Sequence, residues 1–187
     1  MKKVFLLIVC AVAFMAGQAQ VKFGVKSGFN FANIVGDGDD FNDMKLSFYA
    51  GAFANFPLAN HFSVQPELVF SRQGAKIEDE GDDHKYRLNY LNIPVLGQYN
   101  HPSGFYAETG PQFGFLINAK LKEDGRVHTV TDNYKGFDLS WAFGAGFQFT
   151  KQASAGIRWN LGLTDIWDHP GTGHNRVLQI GVAYRLN

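Results

Sequence analysis

Arg176-Val177-Leu178-Gln179-Ile180-Gly181-Val182-Ala183-Tyr184-Arg185-Leu186-Asn187 ends the chain and alternates along its whole length. Leu178, Ile180, Val182, Tyr184 and Leu186 fall on one face of an extended strand, and Val177, Gln179, Gly181, Ala183, Arg185 and Asn187 on the other. One face is oily; the other is mostly small or polar. A half-buried strand of a soluble sandwich reads the same way. The choice therefore rests on an export signal at the opposite end of the chain and on many strands of the same kind between them. Together they predict a membrane barrel that closes on this last strand.

The chain starts Met1, Lys2, Lys3, followed by an apolar run from Val4 to Ala16 and then Gly17, Gln18, Ala19. Two lysines, a short oily core and small residues before Gln20 describe a secretory signal cut after Ala19. The run is too short for a spanning helix, which needs ~20 apolar residues. Residues 1–19 are thus expected to be a cleaved signal and residues 20–187 a single barrel domain. Cys10 is the only cysteine and lies inside the signal, with bulky Val9 before it, so a lipoprotein site is not expected. The mature chain then has no disulfide, and a core, a closed sheet or lipid must stabilise it.

Loss of Lys2 and Lys3 takes Lys plus Arg from 17 to 15 against 17 Asp plus Glu. A slightly acidic mature chain argues against nucleic acid as a partner. The 21 Gly, 18 Phe, 7 Tyr and 3 Trp favour strands and tight turns over helices.

Strand-like alternation recurs along the chain. The first strand, from Val21, sets Val21, Phe23, Val25, Ser27, Phe29 and Phe31 against Lys22, Gly24, Lys26, Gly28, Asn30 and Ala32. The second, about Leu46 to Phe56, is apolar on both faces, so its facing stays open. In the third, Phe62, Val64, Pro66, Leu68 and Phe70 oppose Ser63, Gln65, Glu67, Val69 and Ser71. The fourth changes parity, with Tyr86, Leu88 and Tyr90 on one face and Leu91, Ile93, Val95 and Tyr99 on the other, which predicts a bulge near Leu91. The fifth sets Phe105 to Ile117 against Tyr106, Glu108, Gly110, Gln112, Gly114 and Asn118. The sixth sets Leu139 to Phe149 against Ser140 to Gln148, and the seventh Ala155 to Leu163 against Gly156 to Thr164.

Between them, long polar stretches (Ile34 to Lys45, Glu78 to His84, Leu121 to Phe137, Asp165 to Asn175) alternate with short turns near Asn60, Pro102 and Lys151. The predicted fold is all-β: an eight-stranded antiparallel up-and-down transmembrane barrel, with short periplasmic turns and long outer loops. An even strand count permits closure, which removes sheet edges.

With the oily face outward, Lys22, Lys26, Glu67, Glu108, Arg158 and Arg185 line the lumen. Charges of both signs are expected to pair there with one another and with Gln65, Gln112, Gln148 and Asn160. Eight strands leave an interior that side chains fill, so a plugged polar core is expected. The inward glycines keep a narrow pore as the alternative.

Phe23-Gly24-Val25-Lys26-Ser27-Gly28, Gln65-Pro66-Glu67-Leu68, Tyr90-Leu91-Asn92-Ile93-Pro94 and Gly181-Val182-Ala183-Tyr184-Arg185 together give the chain a family likeness. It resembles the porin-like (PorT-like) outer-membrane β-barrel proteins over nearly the whole mature chain. The resemblance implies insertion into the outer membrane by the barrel insertion machinery. The terminal aromatic common in such barrels is replaced here by Leu186 and Asn187, which leaves Tyr184 for that recognition.

Several polar clusters occupy the connections. Asp37, Asp39, Asp40 and Asp43 place oxygen donors around Gly38 and are a weak calcium candidate, since no closing glutamate follows. Asp79, Glu80, Asp82 and Asp83 read as solvated charge. His61 and His101 belong to short turns, and His84, His128, His169 and His174 to long loops. His169 and His174 are two ligands at most for zinc. The pairs Asp83-His84 and Asp168-His169 lack a second acidic pair, and Ser140 and Ser154 have no nearby histidine in sequence, so no catalytic residue is assigned.

The expectation is a monomeric outer-membrane barrel without cofactor or metal. Its role is structural or carried by outer loops that meet an extracellular ligand or protein. The alternatives are a narrow channel for small solutes, a barrel enzyme and a soluble exported ligand-binding barrel.

Overall fold

The computed structural model describes residues 21–36, 44–74, 76–79, 82–123, 126–168 and 173–187; the expected signal, and Asp37, Asp39, Asp40 and Asp43, lie outside them. The strands are β1 (Lys22–Gly36), β2 (Lys45–Ala59), β3 (Phe62–Gln73), β4 (Lys76–Asp79), β5 (Asp82–Asn100), β6 (Phe105–Glu123), β7 (Arg126–Thr129), β8 (Phe137–Gln148), β9 (Ala153–Gly162) and β10 (Gly173–Arg185). Eight of them form a closed antiparallel barrel in the order β1, β2, β3, β5, β6, β8, β9, β10, with β10 paired back to β1 from Gly24↔Arg185 to Gly36↔Gly173. Closure is finished by the last residue: Asn187 accepts a hydrogen bond from the Phe23 N–H at 2.7 Å and donates to the Val21 carbonyl at 2.9 Å.

β4 and β7 are short additions to β5 and β6 at the end of the barrel that carries the long connections. The predicted loop from Glu78 to His84 is therefore largely a hairpin, with Asp79↔Asp82 as its last pair. The opposite end carries tight turns. One of them, His101 to Gly104, closes with Gly104 N–H on the His101 carbonyl at 3.0 Å and needs φ of +98° at Gly104, which glycine adopts without a Cβ clash.

Facing follows the alternation. Phe23, Val25 and Phe29 of β1 and Ile180, Val182 and Tyr184 of β10 are exposed on the outside, and Asn30, Glu67, Glu108 and Arg158 are buried inside. From Phe23 to Phe31 the strand rises roughly 27 Å. A tilt of ~40° leaves about 20 Å of apolar wall, close to the ~25 Å band of outer-membrane barrels. No helix among the described residues is long and apolar enough to cross a membrane. Tyr99 and Tyr184 sit near the short-turn end, as a girdle requires, but Trp141 and Trp159 stand in mid-wall. Trp141 donates its indole N–H to Thr109 Oγ1 at 2.9 Å, so that donor does not face lipid bare.

The structure decides the facing of β2, which the sequence left open, and changes two expectations in β5 and β6. β2 points Tyr49, Phe53 and Asn55 inward and Phe48 outward. β5 keeps one parity throughout, with Leu88, Tyr90, Asn92, Pro94, Leu96 and Gln98 all buried. It reads as a switch because Leu88 and Tyr90 are apolar residues facing inward. The register shift between Asn89 and Tyr90 puts the extra residue on β6: Asn89 pairs with Asn118 and Tyr90 with Leu116, so Ile117 is bulged. That bulge turns Asn118 outward, against expectation, and swings Ala119 into the core.

A row of glycines crosses the inner wall in register, Gly28↔Gly181, Gly181↔Gly156 and Gly156↔Gly146. Two tyrosines stand at its ends in the same register, Tyr49 beside Gly28 and Tyr106 beside Gly146, and their side chains lean over it. A Cβ on Gly181 would strike the Tyr49 hydroxyl, and one on Gly156 would lie 2.5 Å from the Tyr106 hydroxyl. Gly156→Val is thus expected to cost about 1–3 kcal/mol by overpacking. Gly97→Ala, on the outer face with its nearest atom 3.7 Å away, should change little. Equal denaturation midpoints for the two variants would show that the tyrosines do not press on the glycine row.

Candidate functional site

The inward face of each strand repeats every second residue, so each strand delivers one side chain to each level of the lumen. At one level meet Lys26 from β1, Glu67 from β3, Glu108 from β6 and Arg158 from β9. Arg158 spans the lumen, donating from Nη1 and Nη2 to the two Glu67 oxygens at 2.7 and 2.9 Å and from Nε to Glu108 Oε1 at 2.7 Å. Lys26 Nζ completes the group at 3.1 Å from Glu67. Two positive and two negative groups balance, and the fork of the guanidinium meets Glu67 with two parallel bonds. These four side chains form one connected group inside the barrel.

Lys22 and Arg185 do not join it. Lys22 lies four residues nearer the short-turn end than Lys26, beyond a side chain's reach at ~3.3 Å per residue, and Arg185 is in register with Gly24, on the short-turn side of Lys26. Arg185 instead donates to Gln148 Oε1 at 2.9 Å. Of the four amides expected to meet charges, Gln65 donates to Glu67 at 2.9 Å and Gln148 accepts from Arg185. Gln112 donates to Ser140 at 3.1 Å instead, and Asn160 Oδ1 is buried without a partner.

Uncharged layers lie on either side. Towards the short turns, Asn55 bonds Ser63 and Gln98 at 2.9 Å each, and Gln98 donates to Glu108 at 2.8 Å. Towards the long connections, Gln179 donates to Asn30 at 3.0 Å and Asn30 to Ser71 at 2.9 Å. Above them Asp138 accepts from Thr164 and from Asn175, both at 3.0 Å.

Towards the long-connection end lies an apolar cluster the sequence did not reveal. Ile34, Leu88, Tyr90, Ala119 and Ile166 are buried together, with Leu116, Val130, Tyr134 and Trp167 packed on them. The connections that bring Tyr134 and Trp167 are zipped to each other by a Tyr134↔Trp167 bridge, by Lys135 N–H on the Ile166 carbonyl at 2.8 Å and by a Lys135–Asp165 ion pair at 2.9 Å. Slight burial of Asp165 opposes its ionisation. Hydrogen bonds from Lys135 and from the backbone N–H groups of Gly173 and Trp167 outweigh that and hold its carboxyl below the ordinary range. A depressed folded pKa stabilises above the unfolded value of ~3.9 and is lost as pH falls through the folded one. Protection from hydrogen exchange at Ile166 and Gly173, relative to the intrinsic rate at each pH, is therefore expected to fall below about pH 4, and Asp165→Asn should remove the acid dependence.

The histidines stay dispersed. His101 Nδ1 lies 2.7 Å from Ser103 Oγ, His61 stacks near Tyr99, and His174 Nδ1 is 3.1 Å from the Thr164 carbonyl. His169 lies outside the described residues. Among the described residues no group of three or more His, Cys, Asp or Glu could hold a metal. Ser140 Oγ accepts from Gln112 rather than from a histidine. The signal for Tyr49 and Tyr106 was available in the sequence as large residues opposite glycines. The signal for the cap was not, because its pieces come from distant connections.

The model of the outer membrane protein beta-barrel domain matches residues 16–168. No curated protein is detectably similar in sequence. Among solved structures, Ail, the attachment invasion locus protein of Yersinia pestis, is 16% identical, with a TM-score of 0.53 over 88% of this chain and 98% of that one. Neisserial surface protein A is 14% identical, with a TM-score of 0.56 over 87% of this chain and 96% of that one. At these identities the likeness is one of fold.

Proposed function

Starting from a chain that belongs to the outer membrane protein beta-barrel domain family, we propose a small monomeric barrel with a blocked interior that works through its long connections. Those connections face away from the cell in this reading, and the role is structural or adhesive rather than catalytic. The observation that carries it is Arg158 bonded across the lumen to Glu67 and Glu108, beneath the apolar cap. A solute would have to break those bonds and displace the cap. Two barrels of like fold are, by name, an attachment invasion locus protein and a surface protein, and contact made at the cell surface is carried over from them as a proposal.

In this reading the barrel is a PorT-like one, on the strength of residues 23–28, 65–68, 90–94 and 181–185. The insertion machinery delivers it through the last strand, with Tyr184 outward as its aromatic mark.

A narrow channel is the second reading, favoured by a cavity of about 30 Å³ beside the network, lined by Lys26, Tyr49, Tyr106 and Gly181. It is large enough for a water and no larger. Planar-bilayer recording with the heat-dependent gel shift separates the readings. A shift without steady current is expected. A shift with steady current would replace the blocked barrel by a channel, and no shift would favour a soluble exported barrel.

A further inference from the structure

The outer wall turns from apolar to cationic over one sector. Phe48, Phe70, Leu91 and Phe115 face outward in the wall of β2, β3, β5 and β6. Next towards the long connections comes a row in register, Arg72↔Asn89 and Asn89↔Asn118. It is joined by hydrogen bonds from Arg72 Nε to Asn89 at 3.2 Å and from Asn89 to Asn118 at 2.8 Å. Beyond it stands a second outward pair, Arg87↔Lys120. Asn118 and Lys120 face outward only because the Ile117 bulge inverts the parity of β6 there. The bulge thus completes a polar, cationic patch on a surface that is otherwise apolar.

The patch has a shaped edge. The β2–β3 ladder stops at Tyr49↔Ser71, and beyond that point side chains replace backbone pairing. Ser47 Oγ donates to the Arg72 carbonyl at 2.6 Å, and Lys45 Nζ donates to the carbonyls of Gln73 and Tyr86. The result is an outward groove of about 460 Å³ with Lys45, Phe48, Arg72 and Arg87 among its walls. The Arg72 guanidinium carbon lies 5.2 Å from the centre of the Phe48 ring, at the boundary between apolar and polar wall. Between the apolar wall and the Arg87↔Lys120 pair, none of the described outward residues of β3, β5 and β6 is a carboxylate.

An arginine on the lipid face is costly at mid-membrane and cheap near the interface, so this row marks the level of the headgroups. Guanidinium forks and amide N–H groups match phosphate ester oxygens, and the apolar wall below accepts acyl chains. We propose that this patch binds the phosphate groups of an anionic lipid in the leaflet on the long-connection side. The cations supply attraction, the Asn89 and Asn118 amides fix the register, and the groove beside Phe48 seats the first part of a chain. The proposal is independent of whether the lumen conducts.

The test uses the full barrel in nanodiscs, with a glycolipid carrying two phosphate monoesters and the same glycolipid dephosphorylated, and native mass spectrometry of retained lipid. The phosphorylated form is expected to be retained preferentially. Arg72→Gln with Arg87→Gln should weaken retention by about fivefold per cation removed, while the heat-dependent gel shift persists. Arg72→Lys with Arg87→Lys should keep most of the binding, and Arg176→Gln, an exposed cation on β10 away from the patch, should keep all of it. Equal retention of the two lipids, or an unchanged double Gln variant, would overturn the proposal. Complete displacement by millimolar inorganic phosphate would overturn the lipid as the source of the phosphate.

Discussion

Arg158→Ala is expected to lower the stability of the folded barrel by about 3–5 kcal/mol. Glu67 is 4% and Glu108 8% exposed, and Arg158 provides three of the bonds that satisfy them. Without it, two carboxylates remain in the lumen with Lys26 as their cation in the group. Breaking one partner out of a buried pair is costly because the other charge stays behind, whereas replacing the whole set by neutral groups is often tolerated. Arg158→Met combined with Glu67→Gln and Glu108→Gln should therefore recover much of the loss. Urea unfolding in lipid vesicles, followed by the gel shift, measures both. An unchanged midpoint for Arg158→Ala would mean that the network does not hold the interior together.

Phe143→Arg should be almost as damaging, for a reason on the other side of the wall. Phe143 is 52% exposed and stands between Thr109 and Trp159 in register, well inside the apolar band. Arginine on the lipid face at the midplane costs ~2–4 kcal/mol and falls to ~0–1 near the interfaces. Phe149→Arg, just beyond the end of β8 at the short-turn end, supplies the shallow comparison. If both insert equally well into vesicles, the outward assignment of the apolar face is wrong. A loss confined to Phe143 would give the depth profile of the wall.

The architecture was legible because a barrel repeats one rule. Parity in β1, β3, β6, β9 and β10 separates outer from inner residues with no tertiary information, and it puts Lys26, Glu67, Glu108 and Arg158 on the lumen side. What failed to show were places where two rules overlap. In β5, Leu88 and Tyr90 look like lipid-facing residues because they are apolar, yet they build the cap from inside. Asn118 looks inward by counting from Phe105, but Ile117 is an extra residue, and nothing in the local sequence announces a bulge on β6 rather than β5. Lys22 and Arg185 carry the right charge on the right face at the wrong depth. Alternation sets the side of the wall; the level of each residue depends on the stagger between strands, which only the pairings of the whole ring determine.

The seam between β1 and β10 also governs how the molecule forms. It joins the first strand to the last, across separations of up to 166 residues at the Asn187–Val21 bond. A topology whose final pairings are the most distant in sequence folds slowly, because the ring must be nearly assembled before those contacts return any free energy. Until β10 docks, β1 and β9 are open edges able to pair with other chains. The final strand thus acts as a latch, and a chain that lacks it would be expected to aggregate at those edges rather than persist as a smaller barrel.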